Sequence, residues 1–581
     1  MACSNNSIVA CNGSNDPLQR RSANYHASIW NPELIESFTT PYTYELYANR
    51  LDELKQKAKD LFASAKESTS ELLKLTDSVQ KLGVAYHFEE EIKEAMNILK
   101  GDATIKDLNA TSLHFRLLRE YGHPVSTGVF DKFRKRDGRF HDNLREDIEG
   151  LLNLFEASFL GIEGEDVLEE ANIFCTEHLK ESLGTLGSKI ILAEQVKQSL
   201  DIPSYWRIPR IEAQNFIKLY PTDDESSPIL LTLAKLDYNL VQSIHQQELK
   251  ELARWWSNLG FKEKLSFARD RLMENYLLVM GLCFQEQFSK CRIGLTKFVC
   301  ILTAIDDIYD VYGSIDELEL FTEAVKSFPP SYILSFCFMG ISPKIRWEIG
   351  AVLEELPEYM QICYLAMFNF GNELACDVMK IHGLNTLSYI KKEWENLCTS
   401  YLVEARWFSK GYTPTAKEYI ENAWVSVGSP AAIVHAYILL QLQGSNDLAE
   451  NSLSCLKVEH GYDEMIYWSS LISRLSNDLG NSAVELKRGD VAKSIQCYMI
   501  EEGISEEEAR DRIKSLIIYS WKKLNGKNLY KSDFPESMAK MCLDMSRTAH
   551  CIFHGDGIGT STGVTRDRLV SLILEPIPVE L

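Results

Sequence analysis

Positive charge, paired cysteines, strand patterns and long apolar runs are all in short supply in this chain. Its 61 Lys and Arg face 83 Asp and Glu, a formal net charge of −22 over 581 residues. Nucleic acid needs a basic face and anionic lipid a polybasic segment, so neither is an expected partner. The 14 cysteines are scattered, with no CxxC pairing. They read as reduced, mostly buried thiols. No apolar run reaches the ~18 residues that span a bilayer; YILSFCFMGI from Tyr332 is too short. Residues 1–19 contain no Lys or Arg, whereas a transit peptide is basic and amphipathic. They are expected to be a disordered segment, and the location cytoplasmic, with the plastid as the alternative.

What the chain has instead is helical periodicity. LDELKQKAKDLF from Leu51 places apolar residues three and four apart, with charges between. The pattern recurs in EDIEGLLNLFEASFLG and ISEEEARDRIKSLIIYSWKKL. The fold class expected is all-α. YPTDDESSP, Tyr220 to Pro228, concentrates turn formers and acids, and divides the chain into an N-terminal helical half (20–227) and a C-terminal one (228–581).

The chemical signals lie in the second half. In TKFVCILTAIDDIYDVYG, an apolar run ends in Asp306, Asp307 and Asp310. On a helix Asp306 and Asp310 are i and i+4 and share one face, with Asp307 beside them. Crowded carboxylates on an apolar helix lose hydration and repel one another. Solvent, Lys or Arg partners, or bound cations would compensate. Hard carboxylate oxygens suit magnesium, which keeps waters that a substrate phosphate can replace. A second stretch, SRLSNDLGNSAVE, spaces Asn477, Asn481 and Glu485 four and four. On a continuous helix they form an oxygen-bearing stripe, although the composition reads equally as a turn. In FARDRLMENY, Arg269 and Arg271 can grip an anionic oxygen cluster; a surface pair bound to Asp270 or Glu274 is the plainer alternative.

Together these motifs resemble the plant class I terpene synthases. DDIYD is like the family's DDxxD, NDLGNSAVE like its second metal motif, and RDR like its RxR. Arg20, Arg21 and Trp30 match RR-x8-W. The resemblance runs from about Arg20 to the C-terminus. It implies two α-helical domains, the C-terminal one catalytic and the N-terminal one a relic. It implies Asp306, Asp307 and Asp310 on one pocket wall, with Asp306 and Asp310 as direct ligands. Asn477, Asn481 and Glu485 face them, and three Mg2+ ions, replaceable by Mn2+, lie between. Arg269, Arg271 and Arg474 would bind the diphosphate of a prenyl substrate, and Arg20 and Arg21 would help close the pocket. The reaction implied is ionisation to an allylic cation and diphosphate by a monomeric enzyme. Aromatic candidates for stabilising that cation are Tyr276, Tyr309, Tyr312, Trp255 and Trp256.

Several positions depart from the family pattern. Asn481 stands for the usual Ser or Thr, with Ser482 as a possible substitute; Leu278 stands where many relatives carry Trp, and Ile558 where an aromatic is common. Residues 327–345, SFPPSYILSFCFMGISPKI, form an apolar insert that is expected to be atypical. RR-x8-W favours geranyl diphosphate, and the N-terminus favours farnesyl diphosphate. The rivals are a prenyl-chain elongase and a catalytically impaired relative.

Overall fold

The computed structural model describes residues 20–101, 105–187, 189–220, 227–327, 350, 352–443, 462–488, 490–530, 534–554, 557 and 562–580, side chains of 443 and 483–488 excepted. Residues 1–19, the insert beyond Ser327, and Ile558 lie outside that set. Among the described residues there is no strand, only one isolated bridge between Arg134 and Phe140. The all-α expectation holds.

Helices from Tyr44–Ala65 to Pro209–Leu219 make up the N-terminal part. Eight later helices build the site: α1 (Pro228–Leu259), α2 (Leu272–Leu282), α3 (Ser289–Asp307), α4 (Leu387–Lys410), α5 (Ala416–Ser426), α6 (Ser429–Leu440), α7 (Glu464–Arg488) and α8 (Glu536–Phe553). Local sequence sets their ends. Proline opens α1, where its missing N–H costs nothing. Thr415 and Glu418 form a reciprocal capping box at α5. Gly428, with φ of 79°, breaks α5 from α6.

One large apolar core runs from Trp30 through to Ile573, so both parts share it. A second core, which includes Leu108, Phe115, Leu154 and Val196, belongs to the N-terminal part alone. The seam is specific. Trp206 stacks on Trp521 at 5.3 Å, and the Asn525 amide donates to the carbonyls of Phe159 and Gly161 at 2.9 and 3.0 Å.

A buried ion pair sets α3 in place. Arg292 on α3 donates to Glu248 on α1 at 2.7 and 2.9 Å, and the Tyr276 hydroxyl on α2 donates to the same carboxylate at 2.6 Å. Three helices therefore converge on one charge, which has enough partners to stay buried. Ala416–Leu440 is long and apolar enough to cross a membrane, but 78% of its most apolar window is buried inside the protein and Gly428 interrupts it. Core packing explains its composition. Nine cysteines among the described residues are free and buried. Cys376 is disulfide-bonded, which corrects the uniform expectation of reduced thiols; scattered spacing in the sequence carries no information on pairing.

Candidate active site

Helix α3 delivers the acids, and its end is not regular. Residues Ile308–Tyr312 form a wider π-helical turn, a distortion that recurs at functional sites. Asp306 and Asp310 line a cavity of about 780 Å³. Asp307 does not line it. Its carboxylate is fully buried, pairs with the Arg269 guanidinium at 2.8 Å, and accepts the Arg269 backbone N–H at 2.7 Å. Arg269 also pairs with Asp306 and lines the cavity. Arg271 turns elsewhere: it donates to the backbone carbonyls of Asp270 and His26, at 2.7 and 2.8 Å. The two arginines of one motif therefore have different surroundings.

Helix α7 forms the opposite wall and stays helical through the turn-like NDLGNS. Packing overrides propensity here. A Cβ on Gly480 would lie 2.5 Å from the Phe553 carbonyl oxygen at the end of α8, so only glycine lets the two backbones approach. Ser473, Arg474, Asn477, Gly480 and Asn481 line the cavity. Arg474 is tethered from behind: its Nε donates to the Ala423 carbonyl at 3.0 Å, and it bonds Ser426 Oγ at 3.1 Å. Ser482 faces away and accepts from Gln496 at 3.3 Å. Asn481 is therefore the residue that fills the Ser/Thr position on the cavity side, where it sits beside Gly557. The Glu485 side chain lies outside the described residues, although its backbone continues the helix.

The N-terminal segment forms part of the lining. Ser22, Ala23, Asn24, Tyr25 and His26 line the cavity. Arg20 reaches Glu317 at 2.7 and 2.9 Å and the Tyr312 carbonyl at 3.1 Å, and Arg21 donates to the Asp310 carbonyl at 3.1 Å. Burial works against the Glu317 charge, but hydrogen bonds from Arg20, Ser314 and Tyr359 outweigh it and pull its pKa down to about 2. Trp30 is buried and packs edge-on against Phe38, with ring centroids 6.5 Å apart.

None of the five aromatic candidates lines this cavity. Tyr276 holds Glu248, Tyr309 bonds Thr322 at 2.8 Å, and Tyr312 stacks on Phe267 at 3.8 Å. Trp256 donates to Asp270 at 3.0 Å, with Trp255 beside it. Phe298, Tyr401, Phe553 and Tyr25 stand there instead, and Leu278, which stands where many relatives carry Trp, lines it too. Helical phase was the usable signal: Phe298 lies two turns before Asp306. Lys493 was missed because it follows α7 in an unpatterned stretch. It lines the cavity and pairs with Glu404 at 3.5 Å.

The electrostatics favour a cation at the acidic end. Burial pushes the Asp310 carboxyl well above the usual range; Asp306, Glu404 and Asp490 add to this, and Lys493 opposes it. Carboxylate oxygens from α3 and amide oxygens from α7 are hard donors, the set a divalent magnesium ion accepts. Among the described residues, which leave out the Glu485 side chain, no three acids, histidines or cysteines converge tightly enough to hold a metal alone.

Residues 257–523 match the family model described as "Terpene synthase family, metal binding domain", and residues 29–200 match "Terpene synthase, N-terminal domain". The chain is 50% identical over 564 residues to the trans-ocimene synthase of Litsea cubeba, covering 97% of this chain and 92% of that one. A limonene synthase solved with 2-fluorolinalyl diphosphate superposes with a TM-score of 0.88 at 38% identity, covering 96% of this chain and all of that one. The isoprene synthase of grey poplar, Populus x canescens, solved with three Mg2+ ions and dimethylallyl-S-thiolodiphosphate, gives 0.81 at 37% identity, covering 95% and 100%. The synthase reading stands over the impaired-relative alternative. The ocimene synthase is named chloroplastic, as are further relatives. This corrects the expected cytoplasmic location and points to the plastid. Basic charge was a poor guide because the lack of Lys and Arg in so short a stretch as residues 1–19 does not decide location.

Proposed function

This chain belongs to the terpene synthase family, lyases acting on prenyl diphosphates, and we propose that its substrate is geranyl diphosphate, converted to a ten-carbon monoterpene and diphosphate. One observation carries the reading: a single cavity joins the acids of α3, the amides of α7 and three cationic side chains to an apolar pocket. Asp306, Asp310, Asn477, Asn481 and Glu485 would hold magnesium, three ions by resemblance. Bound there, the metal supplies Lewis-acid pull on the leaving group.

The chain's own residues do the rest. Arg269, Arg474 and Lys493 take up the negative charge that develops on the departing diphosphate. Asp307 holds Arg269 in place, from behind the cavity. Arg271 acts through the covering segment, which it ties down at His26. Arg20 and Arg21, with Trp30 anchored in the core, hold that segment over the mouth, so that water stays away from the cation. Leu278, Val299, Leu302, Met545 and Ala549 shape the apolar end, and the faces of Phe298, Tyr401 and Phe553 offer electron density that cannot attack. The functional division follows the helices, 20–227 supporting and 228–581 catalytic. The relatives' ten-carbon products support geranyl over farnesyl diphosphate. Purified protein given magnesium and equal amounts of both diphosphates should release monoterpenes in large excess, read by headspace chromatography. Sesquiterpenes as the main product, or lengthened prenyl diphosphates, would overturn the assignment.

A further inference from the structure

Behind the apolar end of the cavity sits a histidine that the chemistry above does not use. His435 on α6 is fully buried. Its Nδ1 lies 2.7 Å from the Ala431 carbonyl. A carbonyl only accepts, so Nδ1 carries the proton and Nε2 is left as a bare lone pair. Nε2 is buried and has no hydrogen-bond partner. The imidazole stacks on Phe298 with centroids 4.1 Å apart and planes 26° apart. Phe370 stacks at 6.0 Å, and Trp394 stands edge-on at 6.0 Å. Phe298 lines the cavity, and eight residues of helix put it about 12 Å from Asp306 along α3.

A buried nitrogen without a partner lowers stability. Phenylalanine or leucine would fill the same box of rings without that loss. Local rules are broken this way mainly where function compensates. The compensation available here is electronic, because the imidazole backs the aromatic face that the substrate's hydrocarbon meets.

We propose that His435 is a positioning residue for the reaction, holding the Phe298 ring and backing it with a neutral, polarisable imidazole so that its cavity face stabilises the migrating positive charge. Burial pushes the His435 pKa down to about 4, which keeps a second positive charge from forming behind that face. The inference rests on the synthase reading and adds to it the residue that tunes one wall.

The test compares wild type, His435→Phe, Phe298→Leu and the double variant with geranyl diphosphate and magnesium, reading kcat, KM, product composition and thermal midpoint. His435→Phe should lower kcat roughly fivefold to tenfold, leave KM within about twofold, change product composition, and melt no lower than wild type. Phe298→Leu should lower kcat and change the products in the same way, while melting below wild type because buried volume is emptied, and the double variant should turn over no more slowly than Phe298→Leu alone. Unchanged kcat and products in His435→Phe would make the histidine mere core and overturn the inference. Should His435→Phe not fold, Phe298→Leu decides: wild-type kcat and products there also overturn it. If wild type makes no product from geranyl diphosphate, the function assignment itself fails and takes this inference with it.

Discussion

The two walls of the cavity solve opposite problems. The α3 wall carries charge that must be kept from collapsing: Asp307 is buried against Arg269, Asp306 pairs with the same guanidinium, and Asp310 is crowded by other acids. The α7 wall brings the amides of Asn477 and Asn481, beside the tethered Arg474, on a helix that local preference would break, held straight because Gly480 lets α8 come close. One wall is electrostatically loaded and the other sterically loaded. Damage to the first should therefore appear in chemistry, and damage to the second in metal demand and stability.

The largest effect is expected on the charged wall. Asp306→Asn should lower turnover of prenyl diphosphate by roughly 10²–10³-fold or more, with an unchanged melting temperature, because a quarter-exposed side chain is removed from a pair rather than from the core. A substantial drop in melting point would mean that Asp306 serves the fold. On the α7 wall, Asn481→Ala should cost less, about 10–100-fold, and raising the magnesium concentration should recover part of it; activity that no amount of metal restores would remove Asn481 from the ligand set.

Gly480→Ala tests the steric half of the comparison. The added methyl meets the Phe553 backbone, which cannot yield as a side chain would. Overpacking of this kind costs roughly 1–3 kcal/mol, so the melting temperature should drop by a few degrees. Equal melting curves for the two proteins would show that the close approach is not enforced.

The smallest effect concerns the entry to α7. Tyr462, just before that helix, donates to Glu393 on α4 at 2.7 Å. Burial raises the Glu393 carboxyl to about 7 from its usual 4.5, against the opposing hydrogen bond from Tyr462. Its folded-state pKa is raised, so its contribution is fully present below about 4.5 and is lost as pH climbs through 7. Glu393→Gln should therefore melt higher than wild type at pH 8, by no more than the few kcal/mol that such a shift implies, and show no gain at pH 5. A gain of equal size at both values would rule out ionisation as the cause.

How much of this was legible beforehand differs between the walls for a physical reason. Asp306 and Asp310 could be placed because carboxylates at the end of an apolar helix contradict the helix's own burial, and the contradiction is visible in one dimension. The continuity of α7 was not legible: NDLGNS is turn-like in composition, and only the approach of the Phe553 carbonyl, 73 residues beyond Gly480, explains a glycine in mid-helix. The aromatic lining was misread for a related reason. Tyr276 and Tyr312 are near the motifs in sequence, yet their hydroxyls and ring faces are taken by Glu248 and Phe267, whereas Phe298 reaches the cavity through helical phase. Arg269 and Arg271, with one residue between them, diverge in the irregular stretch that leads into α2, which begins at Leu272, and spacing alone does not reveal this.

The central claim is that both walls grip the same divalent ions together with a diphosphate. Manganese titrated into wild-type, Asp306→Asn and Asn477→Ala proteins in the presence of inorganic pyrophosphate, with bound metal followed by electron paramagnetic resonance, tests it directly. Tight binding by wild type that weakens in both variants, one from each wall, is the predicted result; undiminished manganese binding after either substitution would contradict it.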